Sequence, residues 1–151
     1  AGEKEFIVST DEKWYKKYTG FPYTHLGDSI KSGIDCFNLI KYVYKIELNI
    51  EIPYDTADFC DIVDERWYQK THDTWIDKAA SSKFGWEQVT EPEIFDVITM
   101  TIGSTNVTNH CALYVDRNKM LQTMIKHTSW VAPYGNYYKQ YTTGIYRWKD
   151  L

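Results

Sequence analysis

The chain has 151 residues, enough for one hydrophobic core and too few for a second full domain. A formal net charge of -4 gives no broad attraction for nucleic-acid phosphates or anionic lipid, and no apolar run nears the roughly 20 residues that span a bilayer. Neither nucleic acid nor membrane insertion is therefore expected, and the polar start Ala1-Gly2-Glu3-Lys4-Glu5 does not read as a signal sequence.

In chain order, residues 10–19 open with a capping threonine and an acidic turn and end in lysines, which predicts a short helix stopped by Gly20-Phe21-Pro22. Gly27 to Gly33 is loop chemistry. From Cys36 onward Leu39, Ile40, Val43 and Ile46 recur at three- and four-residue steps, one face of a helix that Pro53 closes. Asp58 to Lys78 mixes charges with Phe59, Ile62, Val63, Trp67 and Ile76, as one or two surface helices would. After Gly85 branched and aromatic residues dominate: 95–102, 110–115, 119–125 and 144–148 predict strands, with Asp116-Arg117-Asn118 a hairpin turn. His110 then starts one strand and Gln122 lies on its antiparallel neighbour. Helices followed by strands predict an α+β fold with an antiparallel sheet packed on the Cys36 helix, in a single domain over residues 1–151 with 1–19 as an N-terminal extension or helix.

The cysteines are Cys36, Cys60 and Cys111, with no C-x-x-C pair, so neither a disulfide framework nor a structural zinc site is indicated and at least one thiol stays free. Cys60 and Cys111 read as small buried hydrophobes. Cys36 differs, because at a helix start the unpaired amides and the positive end of the helix dipole face its sulfur and favour thiolate. A thiolate attacking an amide needs a base that can afterwards protonate the leaving amine, and an imidazole suits both tasks. His110, after the loop 103–109, is the candidate.

Four segments in order resemble the NlpC/P60 family, over about Gly20 to Trp148. Tyr23-Thr24-His25-Leu26-Gly27 resembles its Tyr-x-x-Gly-Gly segment, and Gly33-Ile34-Asp35-Cys36-Phe37-Asn38-Leu39-Ile40 its Gly-x-Asp-Cys-Ser-Gly-Leu-Val motif. Glu91-Pro92-Glu93-Ile94-Phe95-Asp96-Val97-Ile98 is similar to Pro-x-x-Gly-Asp-Val with Phe95 in place of glycine, and residues 109–122 resemble the His-x-Gly-Ile-Tyr-x-Gly-x-Gly hairpin. Trp130 to Gln140 and Gly144 to Trp148 look like the domains of this family found in phage tail-assembly proteins.

The resemblance implies a papain-like fold, no cofactor and no metal. It implies Cys36 as nucleophile, His110 as base and Gln122 as the group orienting the imidazole, with the Gln122 carbonyl accepting the Nδ1 hydrogen. It further implies Tyr23 near the oxyanion and Asp35 as a contact for a substrate amino group, with Phe37 and Asn38 departing from the family's Ser-Gly. The substrate class implied is the peptide of peptidoglycan, at a D-γ-glutamyl-diaminopimelate type bond, with a virion tail as setting and other tail proteins as possible partners. A rival orienter is His127. His25 and His72-Asp73 lack metal-ligand spacing, the Asn106-Val107-Thr108 sequon is of the kind that arises by chance, and Asp58, Asp61, Asp64 and Glu65 read as a solvated face. Alternatives are a weakly active or inactive structural tail or wall-binding module with the same fold, and an enzyme acting on another amide.

Overall fold

The computed structural model describes residues 13–58, 84–103 and 108–151. The helices expected beyond Asp58, and with them Cys60, His72 and Asp73, lie outside the described residues, as does Asn106 of the sequon. A 3-10 turn at Trp14–Tyr18 represents the helix expected at 10–19. A two-residue hairpin then pairs β1 (Asp28–Ser29) with β2 (Gly33–Ile34) and leads into α1 (Cys36–Val43). Six strands form one antiparallel sheet: β3 (Trp86–Gln88), β4 (Val97–Met100), β5 (His110–Asp116), β6 (Lys119–Gln122), β7 (Trp130–Pro133) and β8 (Thr142–Trp148), in the order β3-β8-β4-β5-β6-β7. A short helix, α2 (Asn136–Lys139), bridges β7 and β8.

Strand alternation divides the interior in two. Val97, Cys111, Leu113, Val115 and Leu121 face a core completed by Leu39, Ile40 and Val43 of α1, whereas Ile98, Met100, Ala112, Tyr114 and Met120 face a smaller one with Ala132 and Tyr134. Because both faces of β4 and β5 are covered, these strands read as continuous apolar runs. Each fully buried aliphatic side chain of α1 stabilises the helix-to-sheet contact by about 1.5–3 kcal/mol. On the sheet, Arg147 makes a bidentate pair with the buried carboxylate of Asp96, at 2.9 and 2.7 Å.

The helical periodicity fails at one place. After Val43 the backbone widens into a π turn at Tyr44–Leu48, ending on Asn49 at φ 55°. The extra residue in that turn brings Tyr44 and Glu47 inward and leaves Ile46, expected on the buried face, 48% exposed. Glu47 is held there by the Tyr18 hydroxyl at 2.6 Å and the Lys17 ammonium at 2.7 Å. Two strands escaped the pattern: β3 has three residues, too few for a period, and β7 is an edge strand ending in Pro133.

Two departures from the glycines of the family pattern carry strain. Leu26 sits at φ 65° and Phe95 at φ 79°, in the left-handed region where a side chain is disfavoured. Phe95 is compensated by packing, its ring 5.1 Å from Trp14 and 6.2 Å from Tyr44, with its carbonyl accepting the Tyr44 hydroxyl. Gly27 admits no substitute, since a Cβ there would lie 2.4 Å from the Gly33 carbonyl oxygen.

Candidate active site

Gly27 and Asp35 set the start of α1. The Gly27 carbonyl accepts the Asp35 N–H at 3.0 Å and the Asn38 side-chain amide at 3.1 Å, tying the loop to the helix end. Asp35 is the N-cap, its Oδ1 accepting the Asn38 N–H at 2.8 Å and the Thr56 hydroxyl at 2.9 Å. Phe37 turns into the core and stacks on Tyr54 at 5.7 Å and 8°, so Phe37 and Asn38 brace the helix start from below. Cys36 is thereby held in the first turn, where α1 presents its open N–H groups.

His110 is the first residue of β5, and the preceding asparagine fixes it. Asn109 Oδ1 accepts the Ile102 N–H at 2.7 Å, and its Nδ2 donates to the Ile102 carbonyl at 2.8 Å, clamping together the two ends of the loop between β4 and β5. The imidazole Nε2 lies 2.8 Å from Gln122 Oε1. An amide oxygen has no proton to give, so Nε2 carries the hydrogen and Nδ1 is left for the Cys36 sulfur. The sequence reading expected Gln122 to hold Nδ1–H. The nitrogens are reversed, since Gln122 meets Nε2. Gln122 Nε2 in turn donates to the Tyr138 hydroxyl of α2 at 3.2 Å, which steadies the amide beside His110.

The Cys36 sulfur is 3.6 Å from that of Cys111, which donates to it, and it is hydrogen-bonded to His110. The Cys111 hydrogen bond, followed by the bond and charge of His110, holds the Cys36 thiol well below its ordinary pKa despite burial, which opposes this. Cys111 is pushed up by its place beside Cys36 and by burial. Both directions favour the thiolate at Cys36 and the thiol at Cys111. Burial, reinforced by the charge of Cys36, raises Asp35 to about 8.

A cleft of about 220 Å³ opens beside the two side chains. Tyr23, Cys36, Asn109 and His110 line it on one side, and Ile102, Met124 and Ile125 supply apolar wall. The structure thus brings Cys36, His110 and Gln122 into one line and sets Tyr23 in the same cleft. Asp35 does not join them: it is 2% exposed and turned toward Asn38 and Thr56, because the cap geometry claims its oxygens. His127 is exposed and stacks on Trp130 at 4.8 Å, while the His110 ring takes Gln122 as its partner. His25 is buried.

Sequence reasoning missed Cys111, Tyr138 and Thr123. Cys111 read as a small buried hydrophobe, and its contact with Cys36 depends on how β5 packs on α1. Tyr138 lies sixteen residues from Gln122 and meets it only through the fold. The Thr123 hydroxyl lines the cleft, fully buried and without a hydrogen-bond partner among the described residues.

A sequence model of the NlpC/P60 family matches residues 20–147. Among solved structures the fold is similar to the NlpC/p60 domain of the peptidoglycan hydrolase SagA, with TM-score 0.53 and 18% identity over 87% of this chain and 90% of that one. It is also similar to a lipoprotein-like NLP/P60 family protein of Staphylococcus aureus subsp. aureus Mu50, with TM-score 0.53 and 21% identity over 87% of this chain and 37% of that one. An NlpC/P60 family protein of Bacillus cereus ATCC 10987 gives TM-score 0.55 and 20% identity over 85% of this chain and 36% of that one. The chain therefore spans little more than a third of the latter two proteins. At these identities the likeness is one of fold. Comparison with curated proteins gave no match.

Proposed function

Because the chain belongs to the NlpC/P60 family, we propose that it is a cysteine peptidase that hydrolyses an amide bond in the peptide of bacterial peptidoglycan. The observation that carries this reading is the placement of the His110 imidazole between the Cys36 sulfur and Gln122, beside an open cleft. In the proposed reaction the Cys36 thiolate adds to the amide carbon, and the carbonyl π electrons move onto oxygen. The backbone N–H of Cys36 and the Tyr23 hydroxyl are the candidate donors to that oxyanion. On collapse the C–N bond breaks, and the Nδ1 proton of imidazolium goes to the leaving amine. Neutral His110 then deprotonates a water, which attacks the thioester, releasing the carboxylic acid and restoring the thiolate–imidazolium pair. Gln122 orients the ring throughout.

The resemblance of the sequence supports a D-γ-glutamyl-diaminopimelate type bond, and the Trp130–Gln140 segment supports a virion tail setting in which the protein opens the wall locally. Since Asp35 is turned inward, the reading does not require a free amino group at the end of the peptide. Stem peptides with free and acylated amino ends should therefore be cleaved at rates within about tenfold of each other, a difference of about 1.4 kcal/mol. Mass spectrometry of the products tests both the bond and this preference.

The central experiment compares the wild type with Cys36→Ala on purified peptidoglycan, measuring new amino groups. Release by the wild type alone is expected. Equal release by both proteins, or none by either, would overturn the proposal.

A further inference from the structure

We propose that Cys111 is a positioning residue for the nucleophile: its thiol donates a hydrogen bond to the Cys36 sulfur, holding it in place and in its ionised form. This rests on the peptidase reading only for its consequence in catalysis, since the sulfur contact belongs to the fold. The two Sγ atoms are 3.6 Å apart, with the Cys111 thiol as donor. Both residues are buried, Cys36 at 4% and Cys111 at 1%, so little water reaches the contact.

The contact follows from the architecture. β5 packs directly under α1, and alternation sends Cys111, Leu113 and Val115 to the helix side. Leu113 and Val115 are aliphatic, and so is Val97 beside them. Position 111 is where this wall meets the first turn of α1, and an aliphatic residue there would leave the sheet side of a buried anionic sulfur facing hydrocarbon. A thiol is small enough for the core and still carries a proton to give. The two shifts are the two sides of this one contact, Cys36 lowered chiefly by it and Cys111 raised by it. His110 approaches the sulfur separately, so the pair gives the thiolate one neutral donor from the sheet and one ring that exchanges its proton with substrate.

The test is the rate at which iodoacetamide alkylates Cys36 as a function of pH, read by peptide mass mapping in wild type, Cys111→Ala and Cys111→Ser. In Cys111→Ala the midpoint should move to higher pH and the rate near pH 5.5 should fall about fivefold, the scale of losing one weak hydrogen bond to a charged group. Cys111→Ser, which restores a donor, should keep the midpoint near that of the wild type. An unchanged or lowered midpoint in Cys111→Ala, or a Cys111→Ser profile that follows alanine, would overturn the assignment.

Should the alanine variant not fold, the unsubstituted chain still decides. With 2,2′-dithiodipyridine, the Cys36 thiolate attacks the reagent's disulfide and releases one pyridinethione. The Cys111 sulfur, on losing its proton, then displaces the second and closes a Cys36–Cys111 disulfide, the reagent being reduced as the two thiols are oxidised. A 36–111 cross-linked peptide supports the contact, whereas a stable mixed disulfide at Cys36 contradicts it. Neither readout needs peptidoglycan. A chain that shows the alkylation shift but cleaves nothing would sink the peptidase reading and leave this one standing.

Discussion

The two walls of the cleft are held by different physics. On the helix side, α1 as a body is placed by burial: Leu39, Ile40 and Val43 are almost wholly enclosed against the sheet, and Phe37 stacks on Tyr54 beneath the first turn. On the hairpin side, His110 is placed by polar contacts, a line from its ring through Gln122 to Tyr138, with a smaller core behind. Packing forces are non-directional and fix where a backbone sits, while hydrogen bonds fix which way a ring faces and which nitrogen holds a proton. Damage to the first wall should therefore be read mainly in stability, and damage to the second mainly in turnover.

Leu39→Ala should test that division most severely. Leu39 is 1% exposed, and its loss should destabilise the fold by about 3 kcal/mol, measured by denaturant unfolding, with turnover per folded molecule little changed. Gln122→Ala should do the reverse. It frees the ring to adopt the wrong tautomer and leaves the buried Nε2–H unpaired, so kcat should fall about a hundredfold, equivalent to about 2.7 kcal/mol, with a smaller change in unfolding free energy. If both variants moved stability and turnover in parallel, the two walls would not be separable.

Asp35 caps the helix wall, and pH sharpens the contrast there. Its raised value of about 8, against an ordinary 3.8, means that the folded protein binds this proton more tightly than the unfolded chain. The Asp35 contribution is thus fully present below pH 3.8 and is lost as pH rises toward 8. Asp35→Asn keeps an amide cap and removes the titration, so its stability should depend less on pH across that window. Asp35→Ala loses the cap as well and should cost about 1–2 kcal/mol near neutrality. Parallel pH–stability curves for wild type and Asp35→Asn would show that the carboxyl does not titrate in this window.

The difference between the walls also explains what the sequence disclosed. Burial leaves a periodic trace, so the first turns of α1 and strands β4, β5, β6 and β8 were legible from apolar spacing and branched residues. The trace ended where periodicity did, at the π turn that exposes Ile46 and in the short edge strands β3 and β7. Cys36 and His110 could be singled out because a helix start and a strand start are local features. Hydrogen-bond lines leave no such period. Which nitrogen meets Gln122, the Tyr138 hydroxyl behind it and the Cys111 sulfur beside Cys36 depend on how β5, β6, α1 and α2 meet, which no stretch of the chain contains by itself. The inward turn of Asp35 was hidden for the same reason, since Thr56 reaches it from 21 residues away.

The smallest effect is expected at Tyr138, the far end of the polar line. Tyr138→Phe removes only a hydroxyl, so the ring still packs against the core behind the sheet, and stability should change by about 1 kcal/mol or less. What it removes is the hydroxyl that accepts from Gln122 Nε2 and steadies the amide beside His110. Without it, the amide can rotate to present Nε2 to His110, a donor facing a donor, and some molecules will hold the imidazole in the unproductive tautomer. The loss in kcat should be a few fold, well below that of Gln122→Ala. It should vanish in the Gln122→Ala background, because the hydroxyl acts only through that amide. A Tyr138→Phe effect that persisted undiminished in the double variant would mean that the line does not run through Gln122, and that the hairpin wall, like the helix wall, is held chiefly by packing.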